Sequence, residues 1–315
     1  MASSLYVTAD HQVPQARPGV SLTDFLLVCM AVIWGMNFIV VKFATTVFAP
    51  LAFNSVRIGV ALVVLWIILI ATRVTLPGRR LVLGMLGLGM LGNGFYQILW
   101  VEGIARTRTG DAALLVAASP ALIEIINVLR GGERAGWRAV AGIGVSIAGI
   151  ALVVGGAPVK SAHDSSLLGN GLILASCICW ALYSVLLKPF TEKVDGLTLS
   201  AVTMTGGIIP MVIAGAPSLA ATQWSLVSTR GWLAVAYSGI MALVVAYLFW
   251  YRGVRVLGPT RASMYSNLQP VVAMTGAWLL LSETPRVMQL AGGACIVGGL
   301  VLTRLPGHDS VMAVE

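Results

Sequence analysis

The chain has 315 residues, of which 58% are apolar and 10% charged, where a soluble domain carries about a quarter charged. That composition excludes the pair of water-facing domains that length alone would suggest, and predicts a polytopic membrane protein. The net charge of +8 does not mark a nucleic-acid surface, because the basic residues sit singly or in pairs between apolar runs, where they act as topology signals.

Residues 1–23 form a polar tail expected to be disordered and cytoplasmic, with Pro14, Pro18, Gly19 and a single basic residue, Arg17. It lacks the charged region and small-residue cleavage site of a secretory signal. Ten apolar runs follow, at 24–46, 50–72, 81–103, 110–130, 137–155, 167–189, 196–216, 231–253, 259–281 and 287–304. Each is near the ~20 residues that a helix needs to cross the hydrocarbon layer. They are read as helices because lipid satisfies no backbone hydrogen bonds. A connector at 156–166, with Gly156, Pro158 and a Ser-rich end, divides them into a first set of five at 24–155 and a second at 167–304, and a second cytoplasmic tail closes the chain at 305–315. With the N-terminus inside, inner segments hold thirteen Lys and Arg and outer segments five, so both termini are expected in the cytoplasm.

The two sets repeat each other. A shift of 150 carries Trp100 onto Trp250, Gly103 onto Gly253, Pro120 onto Pro270 and Glu133 onto Glu283, and a shift of 146 carries Trp34 onto Trp180 and Lys42 onto Lys188. Long-period identity of this kind signals an internal duplication. Five is odd, so the second copy enters the bilayer from the opposite side. Two inverted copies can exchange conformations and turn one midplane site toward either face in turn, which is how solutes are moved.

Polar and aromatic residues cluster inside the runs. In the third, Asn93, Tyr96, Gln97 and Trp100 fall at i, i+3, i+4 and i+7, the spacing of one helical face. The first adds Trp34, Asn37 and Phe38, the sixth Trp180, Tyr183 and Ser184, the eighth Tyr247, Trp250 and Tyr251, the fourth Ser119, and the ninth Tyr265, Ser266 and Gln269. Amides at membrane depth demand partners or water and read as a substrate pathway, whereas some of the Trp suit an interfacial belt. Pro120 and Pro270, at the centres of the fourth and ninth runs, are expected to bend both helices. Lys42, Arg57, Glu102 and Asp111 all lie toward outer ends, which allows an outer charge network, and Lys188 repeats Lys42 on the inner side. Gate contacts, a landing site for a substrate carboxylate, and snorkelling to the interface are the readings open for these cations. Glu124, whose counterpart is Met274, is either a proton-coupling carboxylate or a structural or vestibular one.

Several features have plainer readings. Gly87, Gly89 and Gly92 spell a dinucleotide fingerprint, but they lie in an apolar run without the strand that motif needs. They and the glycines of the fifth and tenth runs are read as close helix packing, internal or, for those two runs, against a second copy in a homodimer. Glu133 and Glu283 are read as interfacial anchors or contacts between the repeats. Cys29, Cys177, Cys179 and Cys295 all lie in apolar runs and read as small buried hydrophobes. His11, His163 and His308 lie in tails or a loop, so no metal site, catalytic triad or other enzymatic centre is expected, and no phosphate-binding loop of an ATP-driven pump is present. No cofactor is expected.

The Trp-containing helices (Trp34, Gly35, Asn37, Phe38, Lys42; Trp180, Tyr183, Ser184, Lys188), the Pro-centred fourth and ninth runs and the Glu following each resemble the EamA-type repeats of the drug/metabolite transporter superfamily, over residues 24–304. The resemblance implies an all-α fold of ten transmembrane helices in two inverted five-helix repeats. It implies a cavity lined mainly by the third, fourth, eighth and ninth helices, and a bacterial inner-membrane exporter, most similar to the aromatic amino-acid exporters of that superfamily. The walls suit aromatic or other neutral amino acids and related amphiphiles; a multidrug or lipophilic-cation exporter and a passive metabolite channel are the alternatives.

Overall fold

The computed structural model describes residues 21–130, 137–155 and 166–304; the two tails, most of the connector and Glu133 lie outside them. Among the described residues there is no strand. Helix starts follow local chemistry. α1 (Leu22–Val47) opens on a reciprocal cap in which Asp24 N donates to Ser21 Oγ at 3.2 Å and Ser21 N to Asp24 Oδ2 at 2.8 Å. α2 (Pro50–Ala71) begins with proline, whose missing N–H costs nothing in the first turn. α6 (Leu167–Thr191), α7 (Gly196–Ala221) and α8 (Thr229–Leu257) start after Ser166, Asp195 and Ser228, each of which accepts from a first-turn N–H. α7 runs through Pro210 and Pro217 to Ala221, beyond the end expected at 216; a proline's fixed φ is compatible with a helix, although each forfeits a hydrogen bond and crowds the carbonyl one turn back.

The remaining helices are irregular. α3 (Arg79–Arg106) widens into π-helix at Met90–Phe95, and α8 does so at Tyr237–Val245. Moved on by 150 positions, the first π segment falls inside the second. α4 is broken into Thr109–Val116 and Ser119–Leu129, and α9 into Pro259–Met264, a 3₁₀ turn at Tyr265–Asn267, and Leu268–Leu281. Both interruptions come just ahead of Pro120 and Pro270, where a proline leaves the carbonyl four residues earlier without its helical donor. α5 (Trp137–Gly155) and α10 (Val287–Arg304) complete the set.

Seven helices, α1 to α4 and α6 to α8, are individually long and apolar enough to cross a membrane. Large apolar side chains face outward from most helices; Ile67 is 61% exposed, Ile213 74% and Leu279 69%. A surface of that kind is tolerable only in lipid. The chain is a multi-pass membrane protein.

Close glycine contacts decide the packing. A methyl group on Gly89 would lie 1.9 Å from the Thr203 carbonyl oxygen, and one on Gly206 2.0 Å from that of Leu86, so α3 and α7 touch backbone to backbone. Gly87, Gly89 and Gly92 are thus helical, in no nucleotide-binding loop. α5 and α10 pair in the same manner: a methyl on Gly149 would come within 2.6 Å of the Gly292 oxygen, and one on Gly299 within 2.4 Å of the Gly142 oxygen. Ser146 Oγ donates across this seam to the Ile296 carbonyl at 3.3 Å. These glycine faces are consumed within the chain, so the homodimer expected through the fifth and tenth helices loses the surface it invoked.

The lysines terminate helices. Lys42 Nζ donates to the carbonyls of Ile104 (3.1 Å), Ala105 (3.4 Å) and Thr107 (2.7 Å) at the end of α3. Lys188 Nζ donates to the Arg255 carbonyl at 2.9 Å near the end of α8 and pairs with Glu192 at 3.2 Å; Arg255 is Ala105 moved on by 150. A cation at a helix C-terminus satisfies orphan carbonyls and complements the dipole. Glu283 serves the opposite end: its carboxylate accepts from Thr109 N at 2.9 Å and Thr109 Oγ1 at 2.9 Å, capping α4 from the α9–α10 loop. The four residues grouped in the sequence as an outer charge network have separate hydrogen-bond or ion-pair partners. Lys42 binds carbonyls, Glu102 pairs with Arg106 one turn on, Asp111 accepts from Gln289 Nε2 at 2.5 Å, and Arg57 lies elsewhere. Replacing Lys42 with Met should therefore lower the melting temperature in detergent, at a cost of about 1–3 kcal/mol for polar groups left unsatisfied. Lys188→Met should cost less, because the Lys188 side chain is 33% exposed and water can replace it.

Candidate functional site: a central cavity around a buried arginine

The π segment of α8, the α-helical turns that follow the π segment of α3, the two helix interruptions and the aromatic positions of α1 and α6 converge on one internal cavity. Its walls are Trp34, Asn37 and Phe38 from α1, Arg57 from α2, Tyr96, Gln97 and Trp100 from α3, Val116 and Ser119 from α4, and Cys177 and Trp180 from α6. Ala242, Leu243 and Tyr247 from α8 and Ser263, Ser266 and Gln269 from α9 complete it. Val116 and Ser266, the residues four before Pro120 and Pro270, both lie on the cavity wall, so each helix is interrupted where it borders the cavity.

The aromatic wall is continuous. Trp34 meets Trp180 edge-on at 5.6 Å between ring centroids, Trp180 meets Tyr96 at 5.1 Å, and Phe38 meets Trp100 at 5.4 Å. Trp34 Nε1 donates to the Ala242 carbonyl at 2.9 Å, in the π segment of α8. The free space among these side chains is about 40 Å³, enough for a few waters and far below the 300 Å³ or more of an open ligand pocket. The cavity is narrow in this structure.

Arg57 organises the polar side. It is fully buried and gives Nε–H to Asn54 Oδ1, one Nη1–H to Ser238 Oγ and one Nη2–H to Gln97 Oε1, each at 2.6 Å. Ser238 passes the chain on to Asn37 Oδ1 at 2.7 Å, and Gln97 Nε2 donates to the Tyr247 hydroxyl at 3.3 Å. The guanidinium carbon lies 5.2 Å from the Trp100 ring centroid and 5.6 Å from that of Phe53. Arg57 stands seven residues into α2, about 10 Å along the axis, well away from the Lys42 site. It is a wall residue of the cavity, not a member of an outer gate.

Eleven of the aromatic and polar residues singled out in the sequence lie on the cavity wall: Trp34, Asn37, Phe38, Tyr96, Gln97, Trp100, Ser119, Trp180, Tyr247, Ser266 and Gln269. Six do not, and one of them, Ser184, donates to the Trp180 carbonyl at 2.7 Å. Asn93 is buried against α7 beside Gly207, and Trp250 is buried behind Trp34 and Trp180, at 5.9 and 5.3 Å from them. Tyr183 shares a hydroxyl contact of 2.7 Å with Tyr251, and the Tyr265 hydroxyl binds the Asp24 carboxylate at the start of α1. Glu124, half-buried in the second part of α4, is off the cavity and has no hydrogen bond or ion pair among the described residues. Cys177, Ser263 and the Ser238 relay went unrecognised. A lone thiol or hydroxyl in an apolar run carries no signal of the cavity it faces.

Many lipid-facing helices around one polar, aromatic cavity with no acid on its wall define a membrane transporter architecture. The sequence model of the EamA-like transporter family matches this chain twice, over residues 21–155 and 167–305. The chain belongs to the EamA-like transporter family. An uncharacterized transporter of Bacillus subtilis, YyaM, is 25% identical over 90% of this chain and 95% of its own length. A probable terminal-alkyne amino-acid exporter of Streptantibioticus cattleyicolor is 26% identical over 88% and 91%. A probable amino-acid metabolite efflux pump of Salmonella typhimurium is 26% identical over 88% and 93%. One solved crystal structure superposes with a TM-score of 0.62, covering 90% of this chain and 96% of its own at 17% identity, a likeness of fold alone.

Proposed function

We propose that the chain is a secondary transporter of the bacterial inner membrane that exports small amphiphilic metabolites, aromatic or other neutral amino acids foremost, by alternating access. The observation that carries this reading is the central cavity, with indole and phenol rings on one side and amides and a guanidinium on the other. Flat apolar side chains stack on the first, and polar head groups bond to the second. Ten crossings with both termini cytoplasmic, in two inverted repeats at 24–155 and 167–304, account for the features that recur at an interval of about 150 residues. These are the π segments of α3 and α8, the breaks before Pro120 and Pro270, and the lysine caps of the same two helices. In this scheme the broken helices α4 and α9 are the moving walls, and the narrow cavity is the state between two open ones.

Purified protein in liposomes should take up labelled Phe, Tyr or Trp saturably, faster when unlabelled substrate is trapped inside. Uptake of none of the three refutes the substrate reading, and flux rising linearly with concentration makes the protein a channel. Repeating the assay with and without an imposed pH gradient, in wild type and Glu124→Gln, separates proton coupling from facilitated exchange.

A further inference from the structure

The charge on Arg57 has no counter-ion among the described residues. All three of its hydrogen-bond acceptors, Asn54, Ser238 and Gln97, are neutral, and the cavity wall contains no Asp or Glu. The ion pairs of Arg106 with Glu102, Arg108 with Glu283 and Lys188 with Glu192 lie at helix ends, away from Arg57. A guanidinium carries five N–H donors. Three are used here, which leaves one on each terminal nitrogen. A buried charge is normally paired, because an uncompensated one bears the full desolvation penalty. Arg57 is fully buried, borders the free space and retains two donors that take part in none of its three hydrogen bonds.

We infer that Arg57 is a carboxylate subsite, and that the cavity recognises aromatic monocarboxylates by their carboxylate and ring, with the α-ammonium of an amino acid dispensable. The inference rests on the transporter reading above and narrows its substrate class. The ligand carboxylate takes the two free N–H groups and neutralises the guanidinium, in the charge-assisted geometry that arginine favours. The attached ring lies against Trp100, Tyr96, Phe38 and Trp180. An ammonium group finds no acid on the wall, only ring faces and amide oxygens, and it is repelled by Arg57. One guanidinium does not neutralise a phosphate dianion, so phosphorylated solutes are disfavoured. Lipophilic amines, which carry a cation and no anion, are disfavoured more strongly.

The wild-type protein decides the matter. In liposomes loaded with unlabelled Phe, uptake of labelled Phe is challenged with 3-phenylpropionate, which lacks the amine, and with phenethylamine and phenylalaninamide, which lack the carboxylate. Expected is inhibition by 3-phenylpropionate within about tenfold of Phe itself, and inhibition by the two cations about 10- to 100-fold weaker, the range of a charge-assisted hydrogen-bond pair. Phenethylamine competing as well as 3-phenylpropionate overturns the inference and leaves the carrier reading standing. Quenching of intrinsic Trp fluorescence in detergent gives an independent binding readout. Selective quenching by 3-phenylpropionate without flux of any compound supports the carboxylate subsite and refutes the carrier, and no difference between the carboxylate and the amine refutes the subsite. Arg57→Gln should erase the preference, whereas Arg57→Lys should retain part of it. Should Arg57→Gln fail to fold, the wild-type competition still decides.

Discussion

Gln97→Ala should lower the transport rate at limiting substrate by about ten- to a hundredfold while leaving membrane insertion intact. Gln97 Oε1 is one of three acceptors that hold the Arg57 guanidinium, and its Nε2 donates to Tyr247. A hydrogen bond to a charged group contributes about 1.5–3 kcal/mol, and each 1.4 kcal/mol is a factor of ten. Asn54 and Ser238 still hold two arms of the fork, so the helices stay tied while the free donors lose their aim, and the donor left unsatisfied lowers the melting temperature as well. Trp100→Ala removes the ring that faces the same guanidinium and should act in the same direction. Flux assays in liposomes, normalised to protein resolved as a single species in detergent, provide the check; normal transport by both variants would disprove the assignment of this wall.

Gly292→Leu should act on stability instead. Any Cβ at this position would lie 2.7 Å from the Gly149 carbonyl oxygen and 2.7 Å from a Val153 methyl, and a backbone oxygen cannot swing aside as a flexible side chain can. Overpacking a well-filled interior costs typically about 1–3 kcal/mol, and the larger figure applies where the obstacle is backbone. A fall of several degrees in the melting temperature in detergent, with a rise in aggregated material, is expected. Gly298→Leu is the control: no atom lies within 4 Å of a Cβ there. Equal melting temperatures for the two variants would mean that the α5–α10 seam is not as close as described.

How much of this was legible beforehand differs by residue. The apolar runs and their repetition depend on composition and on identities such as Trp100 with Trp250, and both survive without any knowledge of packing. The wall residues on α3 were readable from Tyr96 onward, because Tyr96, Gln97 and Trp100 share a regular α-helical register. Asn93 was misplaced because it lies in the π segment, where i→i+5 bonding shifts the register by a residue and turns it toward α7. Trp250 failed for another reason: periodicity identifies a buried face, but does not say whether a cavity or a second layer of rings lies beyond it. The depth of Arg57 was judged from the nearer end of its run, which grouped it with Lys42. Its partner Ser238 is 181 positions away, and no local pattern reveals such a pairing.

Under the alternating-access reading, the small volume at the heart of the protein sets a kinetic character. A guest can enter only when the rings have parted, so the measured affinity equals the intrinsic affinity diluted by the fraction of time spent ajar. Substitutions that trim a ring, Trp34→Phe for instance, would then tighten apparent binding while letting unwanted molecules slip through. In a protein of this design a weak dissociation constant is the cost of a good seal, and a variant that binds better deserves to be checked first for leakage.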